Sequence, residues 1–287
     1  RCVYETGIEV LQGDTNSSPY GFGNYSGRST IVGGGSAALA AKDVRDKINA
    51  VAAALLEVEI DTLSLFEGIF SSSDNADATL TFAEVCYASY TRAYDIAMCI
   101  DPPLEATRTF KPPGISHLPD KNGRINPYPS YSNAVYVVVC EVDIETGKIS
   151  LLSLAAAHDC GKAINPILVE GQVCGAFAMG LGGALTEDIQ HDANGVQLTK
   201  SFKDYVMLRM ADMPSVGMAH HDSPNPDNYL GLKGAGEAGV GGSAAALVNA
   251  VNNALEPLDV VIHEMPLTPS RVWSAIQKTN NSGGLSQ

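Results

Sequence analysis

Apolar and polar positions along this chain follow two periods, and each predicts its own kind of element. Between 32 and 56, Leu39, Val44, Ile48, Val51 and Leu55 recur at near-helical spacing among alanines, which predicts one long amphipathic helix, Val32–Leu56. Ala134–Ile144, rich in valine, and Lys148–Leu154, rich in leucine, are apolar runs joined by Glu145-Thr146-Gly147, which predicts a hairpin. Its first strand is apolar at nearly every early position, so burial on both faces is expected. Ile167–Leu185 is almost wholly apolar, with Asn165 placed as N-cap and Pro166 at the first helical position. Shorter signals predict a strand near Ile8–Leu11 inside Thr6–Gly13, a helix around Phe82–Tyr90, a helix Ser243–Leu255, a strand Val260–Glu264 and a last helix from Thr268-Pro269 to about Gln277. Ser64–Ala78 is polar and weakly patterned. Asp101–Ser132 is rich in Pro, Gly and Asn and reads as an irregular connection, and Thr279–Gln287 reads as a disordered tail.

Together these elements predict an α+β fold with two similar mixed α/β lobes, about 1–100 and 130–278, joined by the Pro/Gly-rich connection. Glu170 and Gln172 interrupt the apolar stretch 167–185, and its five glycines favour close backbone contact. It therefore reads as a buried helix and not as a membrane span. A hydrophobic content of 45% against 17% charged residues fits a globular chain, and the net charge of −14 argues against nucleic acid or an anionic membrane as partner. The six cysteines, Cys2, Cys86, Cys99, Cys140, Cys160 and Cys174, are scattered without a CxxC pair. That spacing argues against a zinc or iron–sulfur site made by this chain alone and suggests buried thiols in a reducing compartment. With Arg1 leading directly into a strand-like run, the chain reads as a fragment or one piece of a split polypeptide.

Three glycine-rich, hydroxyl-bearing loops lead into apolar helices, at Gly27–Thr30, Cys160–Pro166 and Gly234–Gly242. Loop amides and helix N-termini bind anions, so three such entries suggest an extended anionic cofactor, to which Arg28 could add a charge-assisted contact. The third loop, Gly231-Leu-Lys-Gly-Ala-Gly-Glu-Ala-Gly239, can be read two ways. As Gly234-x-Gly236-x-x-Gly239 it matches a dinucleotide fingerprint, the mark of a nicotinamide-dependent dehydrogenase. That fingerprint requires a buried strand upstream, and His220–Asn228 is turn-rich. Alternatively the loop presents Glu237 as a base, with Ala235, Ala238 and Val240 around it. Burial there would raise its pKa towards the range of proton abstraction near neutrality. An ordinary helix N-terminal acid remains open on spacing alone.

Gly13-Asp-Thr15 with Pro19–Thr30, Asp159-Cys-Gly-Lys-Ala-Ile-Asn-Pro166 with Glu170-Gly-Gln172, Gly231–Gly239, and Met265-Pro-Leu-Thr-Pro269 occur in the order seen in molybdenum hydroxylases. From about Gly7 to Gln277 the chain resembles the C-terminal part of the molybdopterin-binding large subunit of the xanthine dehydrogenase and aldehyde oxidase family. The likeness is narrowest to aerobic carbon monoxide dehydrogenase-like members, and it implies the second molybdenum-cofactor-binding domain of that subunit. By resemblance, Glu237 is the general base on a metal-bound hydroxide, in a reaction that oxidises a substrate carbon with water-derived oxygen. The same likeness sets Ser26, Gly27, Arg28, Ser29 and Thr30 beside the pterin, with Gln172 on the cofactor. It sets Asp159, Cys160 and Asn165 near the dinucleotide end. Lys233 and Gly234 are further cofactor candidates, with an exposed loop lysine as the other reading of Lys233. The molybdenum is held by the pterin and by no protein side chain.

The resemblance further implies the cytosine dinucleotide form of the cofactor, and iron–sulfur clusters and FAD on partner subunits. It implies an upstream half of the large subunit to complete the site, a dimer of heterotrimers, a small-molecule substrate and a cytoplasmic location. Without that half the chain is expected to be inactive. A non-catalytic cofactor-binding or assembly module is the alternative.

Overall fold

The computed structural model describes residues 7–18, 20–21, 23–96 and 104–283. Cys2, Cys99, Thr6, Pro19, Phe22, the Pro102-Pro103 pair and the last four residues of the expected tail lie outside them. The chain divides into two compact units, one of 30–127 with 225–231, the other of 1–29, 128–224 and 232–287. These bounds differ from the lobes expected at 1–100 and 130–278: residues up to 29 group with the later part of the chain, and the connection groups with the long helix. The fold is mixed α/β, and each unit sets a three-stranded sheet against helices.

In the first of these units a π-helical turn, Ser29–Gly33, leads into α1 (Gly34–Leu56). Strands β1 (Leu63–Phe66), β2 (Ile69–Ser72) and β3 (Asn75–Thr81) form an antiparallel meander, and α2 (Phe82–Thr91) follows. The meander occupies the stretch that looked unpatterned. Its strands are short and rich in Ser, Thr, Asn and Asp, and Thr62 and Ser64 pair by their hydroxyls with Ser72 and Ser71. Thr81 and Glu84 cap α2 reciprocally. Ile48, Val51, Ala52 and Leu56 of α1 close a small core with Phe70 and Val85. The connection is held by its polar groups: the Ser36 hydroxyl accepts from the Phe110 amide, and Arg108 pairs with Asp43.

In the other unit β4 (Asn133–Val142) and β5 (Ile149–Asp159) form the expected hairpin, and β6 (Val216–His220) adds to β5 in parallel. Helices α3 (Pro166–Leu185), α4 (Ser243–Leu255) and α5 (Pro269–Gly283) pack on one face of this sheet. Val138, Leu154 and Ala156 meet Val173, Phe177, Leu181, Leu247 and Val251 there. The expected burial of β4 on both faces is not found: Val135, Val137 and Val139 are about half exposed or more, at 66%, 54% and 48%. Among the described residues α3 is the one helix long and apolar enough to cross a membrane, and its inner face is part of this core.

Three further expectations are corrected. No strand forms over the described part of 6–13, where only an isolated bridge at Glu9 appears. Val260–Glu264 alternates correctly, with Val260 and Ile262 buried, but it has no ladder; Asn252 takes the place of a partner strand by bonding both the amide and the carbonyl of Ile262. The last helix continues through Gly283, so the described part of the tail is helical.

Candidate functional site

The Glu237 loop is fixed from its backbone outwards. Gly27 lies back to back with Gly234, so close that a Cβ on Gly27 would overlap the Gly234 Cα, and its φ of +70° is itself one that side chains disfavour. The preceding Ser26 also has positive φ, at 54°. A non-glycine residue held there is worth examining as a functional position. On the far side of Glu237 the carbonyl of Ala238 accepts a hydrogen bond from the Tyr136 hydroxyl of β4, and burial raises the Tyr136 pKa, which keeps the donor protonated. Gly239 then packs against α3, where a Cβ would come within 2.6 Å of Ala176 Cβ and 2.8 Å of the Phe177 nitrogen.

Glu237 itself is exposed. The burial expected from its apolar sequence neighbours is not found, although Ala235, Ala238 and Val240 are themselves half-buried. Among the described residues no hydrogen bond reaches that carboxylate. The nearby Gln172, exposed on the first turns of α3, comes within 4.0 Å of where a Cβ on Gly236 would stand. The structure therefore brings together Ser26, Gly27, Gln172, Gly234 and Glu237. Arg28 lies over the Tyr25 ring at 4.9 Å. Ser29 and Thr30 are exposed in the π-helical turn, with Thr30 counted in the other unit.

Asp159 and Lys233 meet each other. The Lys233 ammonium stands 2.6 Å from Asp159 Oδ2, with side chains only 11% and 8% exposed, so Lys233 is not the exposed loop lysine of the other reading. Asp159 also accepts from the amides of Gly161 at 2.8 Å and Ser223 at 3.2 Å and from the Asn133 side chain. Burial, the largest single influence, pushes its pKa up; these donors together outweigh it and hold it at about 2. The Lys233 amide donates to the Cys160 carbonyl at 2.8 Å, and Gly161 bridges Leu232. This cluster ties the start of the Glu237 loop to the end of β5. The Cys160 thiol is buried, and burial raises its pKa, so it stays protonated. Asn165 Oδ1 caps α3 by accepting from the Leu168 amide.

Sequence reasoning did not find Tyr136, whose partner lies 102 residues away, nor His158. His158 is 1% exposed, and among the described residues neither ring nitrogen has a hydrogen-bond partner. Burial first and then the charge of His220 lower its pKa, so the ring is neutral.

A family model described as the molybdopterin cofactor-binding domain matches residues 5–214. The chain is 32% identical over 268 residues to the nicotine 6-hydroxylase large subunit of Paenarthrobacter nicotinovorans, a match covering 93% of this chain and 31% of that protein. It is 30% identical over 273 residues to the carbon monoxide dehydrogenase large chain of Hydrogenophaga pseudoflava, covering 95% and 32%. Among solved structures, the carbon monoxide dehydrogenase of Oligotropha carboxidovorans superposes with a TM-score of 0.82 at 28% identity, over 96% of this chain and 32% of that one. The chain thus spans about a third of the length of the curated relatives it matches.

Proposed function

The chain belongs to the molybdopterin cofactor-binding domain family, and from that premise we propose that it is one part of a molybdenum hydroxylase large subunit, with Glu237 as the general base. The observation that carries this reading is the contrast within one loop: its backbone is pinned at Gly234, Ala238 and Gly239, while the Glu237 carboxylate is exposed and takes no hydrogen bond among the described residues. A group held within narrow limits and kept free of partners is suited to taking a proton from a reactant brought to it.

The residues present fit a bulky, anionic pterin cofactor. The paired backbones of Gly27 and Gly234 carry no side chains, and Gly236 has only Gln172 at its margin. Ser26, Gly27, Arg28, Gln172 and Gly234 would hold the cofactor, Arg28 by charge and the others by backbone and amide contacts. When bound, the molybdenum centre supplies the two-electron oxidation of a substrate carbon with oxygen from water. The chain's own contribution is to orient that group, hold Glu237 at a fixed distance from it and accept a proton at the Glu237 carboxylate. Asp159, Lys233 and Cys160 act here by fastening the loop, their polar groups engaged with one another and with Gly161, Ser223 and Asn133. The exposure of Glu237 supports the need for a further polypeptide, the rest of the large subunit, to enclose it. The cytosine dinucleotide form, iron–sulfur and FAD subunits, a dimer of heterotrimers and a cytoplasmic location complete the proposal.

The test is the complex of this chain with the remaining large-subunit polypeptide, purified with molybdopterin. Glu237→Gln should leave cofactor content unchanged and lower turnover by roughly 10²- to 10⁴-fold. Undiminished turnover ends the catalytic role, and a cofactor-loaded complex without turnover in either form points to a holding module.

A further inference from the structure

The sheet β4–β5–β6 buries one face under α3, α4 and α5 and leaves the other open. On the open face Val135, Val137 and Val139 stand opposite Ala157, Ala155 and Ser153 of β5, and Ala219 of β6 pairs with Ala157. All of these are exposed, and no charged side chain stands among them; the exposed Glu141 bounds the patch at one end of β4 and the Asn133–Asp159 pair at the other. An antiparallel hairpin with one face in water carries polar residues there. This one carries valine and alanine, the composition of a strand covered on both sides. The small side chains on β5 and β6 would also let another layer approach the sheet at the roughly 10 Å spacing of packed sheets.

The expectation of burial on both faces and the observed exposure of one are reconciled if the cover belongs to another polypeptide. We propose that the open face of β4–β5–β6 is the docking surface for the rest of the large subunit, which meets it with an apolar layer. The inference rests on the reading of this chain as one part of such a subunit. It commits to that occupant because the chain accounts for only 31–33% of the length of its first four relatives. In those relatives the remaining two thirds belongs to the same polypeptide as the matched third, which favours it as the neighbour of this sheet over a separate subunit of the complex. A second copy of this chain is the competing occupant.

Val137→Cys and Ala155→Cys place thiols on the open face, at positions that support neither the core nor the Glu237 loop. Their maleimide labelling rates, measured above the wild-type background, are compared in the chain alone and in its complex with the remaining large-subunit polypeptide. Both should label fast in the lone chain and at least tenfold more slowly in the complex. A complex that forms with labelling unchanged overturns the docking surface and leaves the proposed function standing. Labelling already blocked in the lone chain, with self-association seen by light scattering, assigns the face to a second copy. Failure to form any complex removes the proposed partner, and this surface with it.

Discussion

Asp159 and Glu237 are both carboxylates singled out by glycine-rich motifs, and the structure treats them oppositely. Asp159 is almost wholly buried and takes hydrogen bonds from Lys233, Gly161, Ser223 and Asn133. Glu237 is exposed and takes none among the described residues. A buried carboxylate persists only if donors replace its lost hydration, and once they do it has little capacity left for a ligand. A carboxylate meant to move a proton has to keep its lone pairs free. The two motifs therefore divide the work, one fastening the loop and the other presenting the base.

The sharpest way to break this comparison is to remove the fastening. Asp159→Asn leaves the Lys233 ammonium buried without a counter-charge, and losing one partner of such a pair costs about 3–5 kcal/mol. Urea unfolding of the 287-residue chain should show a loss of that order, and Asp159→Asn combined with Lys233→Met should recover much of it. A loss below about 1 kcal/mol would mean that water reaches the pair and that Asp159 is not a structural clamp.

Acid titrates the same clamp without mutation. The folded pKa of about 2 lies below the ordinary value of 3.8, so the stabilisation from Asp159 is fully present above pH 3.8 and is lost as pH falls through 2. It amounts to about 2 kcal/mol at neutral pH. Stability measured in urea between pH 6 and 2 should fall in the wild type below pH 4, and this component of the slope should vanish in Asp159→Asn. An unchanged slope in the variant would assign the acid sensitivity to other carboxylates.

The pattern of the chain made three elements legible for different reasons: α1 by its helical spacing of apolar residues, the β4–β5 hairpin by two apolar runs around a Gly-bearing turn, and α3 by a long apolar run entered through Asn165 and Pro166. It hid β1–β3, whose strands are only four to seven residues long and whose alternation in β3 sets alanines and one leucine against Asn, Asp and Thr, too weak an apolar signal to mark a strand. It also misjudged Val260–Glu264, where alternation recorded burial correctly but could not tell a ladder from the side-chain bracket of Asn252. At the site, the glycine count exposed the loop. Burial of Glu237 was misread because adjacent alanines say nothing about what packs over a side chain. Tyr136 was illegible for a related reason: a hydroxyl meeting a carbonyl 102 residues away leaves no local trace.

Tyr136 tests the loop from its other end with a smaller effect. Tyr136→Phe removes the donor to Ala238 and keeps the ring packed on Phe177, whose centroid lies 5.2 Å away. The net cost of one such hydrogen bond is about 0.5–1.5 kcal/mol. In the assembled complex the variant should lower turnover while leaving cofactor content intact, because the carboxylate beside Ala238 is then less narrowly held. Equal turnover would remove Tyr136 from the positioning of the base.

The smallest expected effect completes the contrast. Glu237→Gln in the lone chain should change stability by no more than about 0.5 kcal/mol, as exposed substitutions away from caps and ion pairs do. The same exchange at Asp159 costs several times that, although both replace a carboxylate by its amide in a glycine-rich segment. Paired urea curves for the two variants measure the difference directly. A Glu237→Gln loss approaching that of Asp159→Asn would show that the loop leans on its carboxylate for structure, and the division between fastening and presenting groups would then fail at its simplest point.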